Sequence, residues 1–292
     1  MEFKLKSFKK ELEVLRMANV HYFEFTNKYH TASDRHPFRE LIYVDSGTLT
    51  VRSDGYEGAL TKNSLIIHKA MEAHSLKCPD DAPCNVIIIG FECKCEALDR
   101  FSSQVTELDG EQQNLLSEII RDGRSVFLPP YDQPSLKDMK KRQSFPFGAD
   151  QMIKIKLELL LINLVQASNS APHATPSFIP QSKISDVTDY LNQNYHSQLS
   201  LDELCFLFKT NKTSLCSHFK QAHQCTIIDY VNRLRIKDAK MHLREGKLNI
   251  TQISQALGFS SIHYFSRIFK KYTGFSPAAY TLSLKSKFDL PF

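Results

Sequence analysis

A near-duplication in the last hundred or so residues constrains the fold of this 292-residue chain more than any other feature. Ser200-Leu201-Asp202-Glu203 opens the first copy. A Ser hydroxyl ahead of an apolar run can accept from the backbone amide three residues on, and Glu203 can reach back, the capping box of a helix start. Leu201, Leu204 and Phe208 give that helix a buried face, and the polar break Lys209-Thr210-Asn211 leads to a second helix with Leu215 and Phe219 inward. The design recurs 49 residues later, where Asn249 caps, Gln252 sits three on, and Ile250, Ile253 and Leu257 take the inward places. Past the turn the offset is 50, with Phe265 answering to Leu215 and Phe269 to Phe219. Gly258 occupies the second turn, where a residue free to take positive φ avoids strain. Two short helices with a tight turn, present twice, read as two helix-turn-helix units.

The exposed faces of the second helices carry the functional signal. His263, Arg267 and Lys270 lie in a line at i, i+4 and i+7 with Ser266 beside them, opposite the apolar face of Tyr264, Phe265, Ile268, Phe269 and Tyr272. Thr213, Ser217 and Lys220 form the equivalent line in the first unit. A helix lying in a major groove needs such a row of hydrogen-bonding groups. One polar stripe is ordinarily a solvated face; a duplicated stripe on a basic, capped scaffold points to double-stranded DNA. Residues 183–287 hold 15 Lys and Arg against 7 Asp and Glu, a net of +8, whereas residues 1–182 carry a net of −2. Between the units, Ile227 to Arg244 reads as one helix of 18 residues, about 27 Å long at ~1.5 Å per residue. A rod of that length can hold two recognition helices near the ~34 Å repeat of successive major grooves.

The rest of the chain divides simply. Residues 167–182 belong to a Pro-, Ser-, Ala- and Asn-rich stretch without charge or period, an interdomain linker separating residues 1–166 from residues 183–287. Strands are expected at Glu40–Val44, Thr48–Arg52, Ser64–Ile67 and Asn85–Phe91, spaced as in a small antiparallel barrel or sandwich. Helical stripes follow, one at Leu115, Leu116, Ile119 and Ile120, and a stronger one at Ile153, Leu157, Leu160, Leu161 and Leu164. The second has more apolar surface than one face needs, so it packs on the barrel or on its equivalent in a second subunit. No run approaches the ~18 apolar residues of a membrane span, and Met1 to Val20 lacks the apolar core of a signal peptide. Seven cysteines, odd in number and without a CxxC pair, read as free buried thiols of a cytoplasmic protein.

The run ISQALGFSSIHYFSRIFKKYTGFSPAAY, Ile253 to Tyr280, closely resembles the signature of the AraC/XylS family of bacterial transcriptional regulators, and the resemblance extends over about Ile184 to Tyr280. It implies an all-α, two-unit DNA-binding domain joined by a linker helix, promoter binding, and activation through RNA polymerase. Carried over by position, base-facing roles fall on Thr213, Ser217, His263, Ser266 and Arg267, and phosphate or auxiliary roles on Lys212, Lys220 and Lys270. Gln224 departs from the pattern, standing where the second unit has Gly274. The front half resembles the cupin-type sensor that precedes this domain in many members. His36, Glu40 and Gly47 match a HxxxExxxxxxG motif, and His74 falls where a second motif has its histidine. The expected whole is an α+β chain: a cupin-like antiparallel β-barrel with packed helices, then the helical domain. Residues His36, Glu40 and His74 are the candidate small-molecule effector site; a metal site and purely structural roles are the alternatives, and the reading adopted has no metal, no cofactor and no catalysis. A homodimer completes the expectation. A cupin-type enzyme fused to a DNA-binding domain would differ by holding a bound metal, and a nucleoid protein by indifference to sequence.

Overall fold

In the computed structural model of the chain, which describes residues 3–131, 133–134, 136–169 and 184–288, alternating apolar side chains build the N-terminal half. The four expected strands are present, lengthened, as β2 (Arg39–Ser46), β3 (Thr48–Ser53), β5 (Ser64–His68) and β7 (Cys84–Cys93). Four more join them: β1 (Val14–Phe25), β4 (Glu57–Thr61), β6 (His74–Lys77) and β8 (Thr106–Glu107). Strand β1 escapes a pattern search because register shifts between Val14 and Arg16 and between Met17 and Asn19 interrupt its alternation.

The strands form two antiparallel sheets, a five-stranded one in the order β1-β7-β2-β5-β8 and a three-stranded one in the order β4-β3-β6. No ladder joins them among the described residues, so of the barrel and sandwich expected from strand spacing the described strands fit the sandwich, without closing into the barrel. Their shared core includes Phe23, Ile42, Val44, Leu49, Val51, Leu60, Ile66 and Val86. Leu41, Tyr43, Ile87 and Ile89, the alternate residues of β2 and β7, are also buried. Burial on both faces is why Asn85–Phe91 reads as a continuous apolar run instead of an alternating one. Cys78 and Cys84, expected as free thiols, form a disulfide with their Cα atoms 6.3 Å apart. The β6–β7 connection brings them together, which six residues of spacing do not reveal. Cys93 and Cys225 are buried and free, and Cys216 is exposed.

Helices α1 (Gly110–Val126) and α2 (Ala149–Asn169) pack on each other and reach β1. Asp109 and Gln112 start α1 with a reciprocal capping box. Ile153, Leu157, Leu160, Leu161 and Leu164 are buried along α2, while Met152, Ile155 and Leu159 on its other side are exposed. The helix runs through Asn169, so residues 167–169, assigned to the linker, form its last turn; Ala, Ser and Asn end a helix readily, and Ser168 Oγ donates to the Val165 carbonyl. The remainder of the expected linker lies outside the described residues. The chain divides into two compact units, Met1–Ile179 and Pro180–Phe292.

The second unit is helical: α3 (Ile184–Asn194), α4 (Leu201–Leu207), α5 (Lys212–His223), α6 (Ile227–Glu245), α7 (Ile250–Ala256), α8 (Ile262–Thr273) and α9 (Pro277–Phe288). Each helix of the two helix-turn-helix pairs begins on a side-chain cap: Ser200, Asn211, Asn249 and Ser261 accept from the amide three residues on. Gln252 returns the bond to the Asn249 amide, completing that box. The duplication extends to the backbone. Gly258 (φ +71) and Gly274 (φ +82) end α7 and α8 in the left-handed region, and Lys209 (φ +47) and Gln224 (φ +54) hold the same conformation in the first copy.

Candidate functional site

Helix α5 rests on Leu215 and Phe219, which are buried, and so turns Lys212, Thr213, Ser217 and Lys220 to solvent. Helix α8 rests on Phe265, Ile268 and Phe269, which leaves His263, Arg267 and Lys270 exposed and Ser266 half-buried. Both lines drawn from helical periodicity thus exist as outward faces of the second helix in each pair. Lys212 is not held out alone, because its Nζ lies 2.8 Å from the Asp202 carboxylate across the first turn. That contact ties it to α4 and weakens its claim as a phosphate ligand.

Contacts between helices set how these faces are carried. Asn232 of α6 donates to the Tyr264 hydroxyl at 3.3 Å, and the Arg267 guanidinium lies 5.3 Å from the centre of the Tyr264 ring. The half-buried Tyr264 therefore connects the helix between the units to Arg267, the largest side chain of the outward line on α8. Near its start, α6 meets α8 again: the Tyr272 hydroxyl donates to Asp229 at 2.9 Å, and Lys271 pairs with the same carboxylate at 3.3 Å. Hydrogen bonds from Thr226 and Tyr272 hold the Asp229 carboxyl below its ordinary range.

Arg235 of α6 is buried. Its guanidinium donates to the carbonyls of Tyr195 (2.6 Å) and Ser197 (2.7 Å), in the loop before α4, and lies over the Phe259 ring beyond α7. Burial lowers its pKa to about 10, so it remains charged at neutral pH. Gly258 packs beside it: a Cβ there would lie 2.2 Å from the His196 carbonyl oxygen. Arg235 and Gly258 thereby fasten the turn of the second pair to the loop that leads into the first. Sequence periodicity placed Tyr264 on the apolar face but missed Asn232 and Arg235, because each is a polar group directed inward and only the contact partner distinguishes that from a solvated position.

In the first unit, His36, Glu40 and His74 do converge, with one ligand-type atom from each within 4.8 Å of the others. His74 Nε2 lies 3.0 Å from Glu40 Oε2, and His36 Nε2 lies 3.6 Å from Glu40 Oε1. Burial opposes a charge on Glu40, but the His36 and His74 imidazoles outweigh it and hold the carboxyl at about 2. Two residues that the motif did not include join the cluster. His68, wholly buried, is the cross-strand neighbour of Glu40 and stacks on His74 with ring centres 4.5 Å apart. Glu72 approaches His68 Nδ1 at 3.7 Å and accepts from the Lys69 amide at 2.8 Å. Their spacing repeats the HxxxE of His36 and Glu40, the one signal in the sequence that pointed to them.

A family model described as a helix-turn-helix domain matches residues 204–282. The chain is 30% identical over 105 residues to an uncharacterized HTH-type transcriptional regulator, YdiP, of Escherichia coli (strain K12), covering 36% of this chain and 35% of that protein. It is 30% identical over 131 residues to an uncharacterized HTH-type transcriptional regulator of Staphylococcus aureus (strain COL), covering 45% of this chain and 17% of that protein. The chain thus spans about a third of the first relative's length and less than a fifth of the second's. Among solved structures, a Listeria innocua protein of unknown function is 33% identical, covering 34% of this chain and 95% of its own, with a TM-score of 0.33. ToxT of Vibrio cholerae is 14% identical, covering 96% of this chain and 100% of its own, with a TM-score of 0.34. Among the described residues no helix is long and apolar enough to cross a membrane. With paired helices capped alike, left-handed turns at matching positions and residues 204–282 matched as one domain, the C-terminal unit carries a helix-turn-helix domain.

Proposed function

We propose that the chain is a sequence-specific, DNA-binding regulator of transcription, not an enzyme, acting in the cytoplasm as a homodimer that activates promoters with RNA polymerase. The observation that carries this reading is the pair of exposed hydrogen-bonding lines, Thr213 and Ser217 on α5 and His263, Ser266 and Arg267 on α8, each standing on a buried aromatic or Leu base. Lys220 and Lys270, one turn along each line, are suited to phosphates. The names of the relatives support transcription as the process. The N-terminal unit is the sensing part, with a small-molecule effector bound at His36, Glu40 and His74, and the exposed Met152, Ile155 and Leu159 of α2 support the dimer. Leu159→Glu is expected to yield monomers in sedimentation; an unchanged dimer would place the subunit contact elsewhere.

The decisive experiment is in vitro selection of genomic fragments by the full-length chain at two salt concentrations. A regulator prefers its sites by about 10³ or more over other DNA, and its affinity falls steeply with salt. Equal recovery of all fragments at fixed salt removes the reading.

A further inference from the structure

The disulfide of the N-terminal unit joins two sheets that share no ladder among the described residues. Cys78 stands one residue beyond β6, an edge of the three-stranded sheet, and Cys84 is the first residue of β7 in the five-stranded sheet. The segment that follows β1 touches β6 through isolated bridges, His30 to Lys77 and Asp34 to His74. Beside the pair, the Cys78 amide donates to the Tyr29 carbonyl at 2.8 Å, and the Lys28 amide donates to the Pro79 carbonyl at 3.2 Å. Gly47, where the chain turns from β2 to β3, presses on the same corner. A Cβ there would lie 2.6 Å from the Pro83 carbonyl oxygen and 3.2 Å from the Cys84 Cβ. Two of the points at which the chain passes from one sheet to the other therefore sit together at this disulfide.

The corner is also built to open. Pro79-Asp80-Asp81-Ala82-Pro83 connects the two cysteines, and Asp80, Asp81 and Pro83 are exposed. The two prolines have no amide hydrogen to donate. Ties to the segment after β1 are long ones, the Lys28 amide to Pro79 at 3.2 Å and the Asn27 side chain to the Asp80 carbonyl at 3.3 Å. A connection held in this way opens locally at low cost. Opening is what a small reagent needs, because both sulfurs belong to buried residues and a buried thiol is otherwise inert.

We propose that Cys78 and Cys84 are a reversible thiol–disulfide switch that sets how firmly the two sheets of the N-terminal unit are held together. A low-molecular-weight disulfide is the oxidant. One cysteine thiolate attacks a sulfur of that disulfide and expels the first small thiolate; the second cysteine thiolate attacks the mixed disulfide and expels the other. One S–S bond forms in the chain and one breaks in the reagent. The cysteines lose two electrons, the reagent gains them, and the two thiol protons pass to the released thiolates. In the cytoplasm proposed above, the dithiol is the resting form and the disulfide is the form made under oxidation. The switch itself does not depend on that location or on DNA binding.

The test equilibrates the full-length chain in buffers of graded reduced-to-oxidised glutathione ratio, blocks free thiols with iodoacetamide and reads peptide masses. Cys78 and Cys84 are expected to pass together from alkylated to joined in one transition, and back when the ratio is reversed. Amide hydrogen exchange over residues 26–31 and 76–84 should be slower in the joined form by roughly tenfold or more, with exchange in α8 unchanged. Cys84→Ala should abolish that difference between the two buffers. If circular dichroism shows that this variant does not fold, the exchange comparison on the unaltered chain decides alone. A pair that stays alkylated at every ratio, a disulfide that yields only on denaturation, or equal exchange in both forms overturns the switch. Each of those results leaves the regulator reading to the selection experiment.

Discussion

At Gly258 two constraints coincide: φ is +71, and a side chain would meet the His196 carbonyl 2.2 Å away. Gly258→Ala is therefore expected to destabilise the helical unit by about 2 kcal/mol or more, since left-handed strain adds to a backbone clash. The shift should appear in urea unfolding followed by far-ultraviolet circular dichroism, and a change below half that size would mean the loop before α4 yields freely. Gln224 is the opposite case. It holds φ +54 on an exposed helix end, so Gln224→Gly should stabilise by up to about 1 kcal/mol. His21 offers a pH test in the other unit. Burial, aided by the Arg124 guanidinium, pushes its pKa down from 6.5 to about 4. Above pH 6.5 the folded and unfolded states are both neutral there; between 6.5 and 4 only the unfolded chain takes the proton. Stability thus falls as pH drops through that window, by about 3 kcal/mol at ~1.4 kcal/mol per unit. His21→Phe should lose less stability than the unaltered chain between pH 7 and pH 4; identical losses would sink the assignment.

Among the elements, α6 bears the greatest organising load. Its caps are Thr226, whose side chain accepts from the Asp229 amide, and Gly246, whose left-handed backbone stops the helix. Between them, one face buries Ile236, Ala239 and Leu243 in the core shared with α7 and α8. The same helix sends Arg235 to two carbonyls near α3 and α4. Arg235→Met keeps the length and removes the donors, leaving two carbonyls to find new partners. A loss of about 2–4 kcal/mol follows from the cost of unmade buried hydrogen bonds to a charged group. Arg235→Lys should recover only part of it, because an ammonium cannot reproduce the planar fork. Full rescue by Lys in thermal melts would show that charge, not geometry, is what the site requires.

For the whole molecule the testable question is how the two helix-turn-helix pairs share the work. Thr213 and Ser217 are short and hydrogen-bond ambiguously, whereas Arg267 can address a guanine edge with two donors. Its contact with Tyr264, itself bonded to Asn232, restricts where that guanidinium goes. Arg267→Ala should therefore reduce discrimination between selected and scrambled DNA more than Ser217→Ala does, by about 1–3 kcal/mol for a lost bidentate contact. Equal losses on both DNAs for both variants would refute the division.

The sequence by itself determined the helical half almost completely. Caps, apolar spacing and turn residues are local, and a duplicated pattern 49–50 residues apart checks each reading against its copy. The outward faces of α5 and α8 followed because burying Phe219 or Phe269 leaves one side for solvent. Tertiary structure decided what depends on distant partners. Interrupted alternation hid β1, the pairing that makes two sheets instead of a closed barrel is set by long-range ladders, and Cys78 meets Cys84 only once β6 and β7 are in place. It also turned Arg235 inward and drew His68 and Glu72 to His36, Glu40 and His74. A polar side chain reads the same in sequence whether water or a buried carbonyl satisfies it, and only the folded chain selects between them.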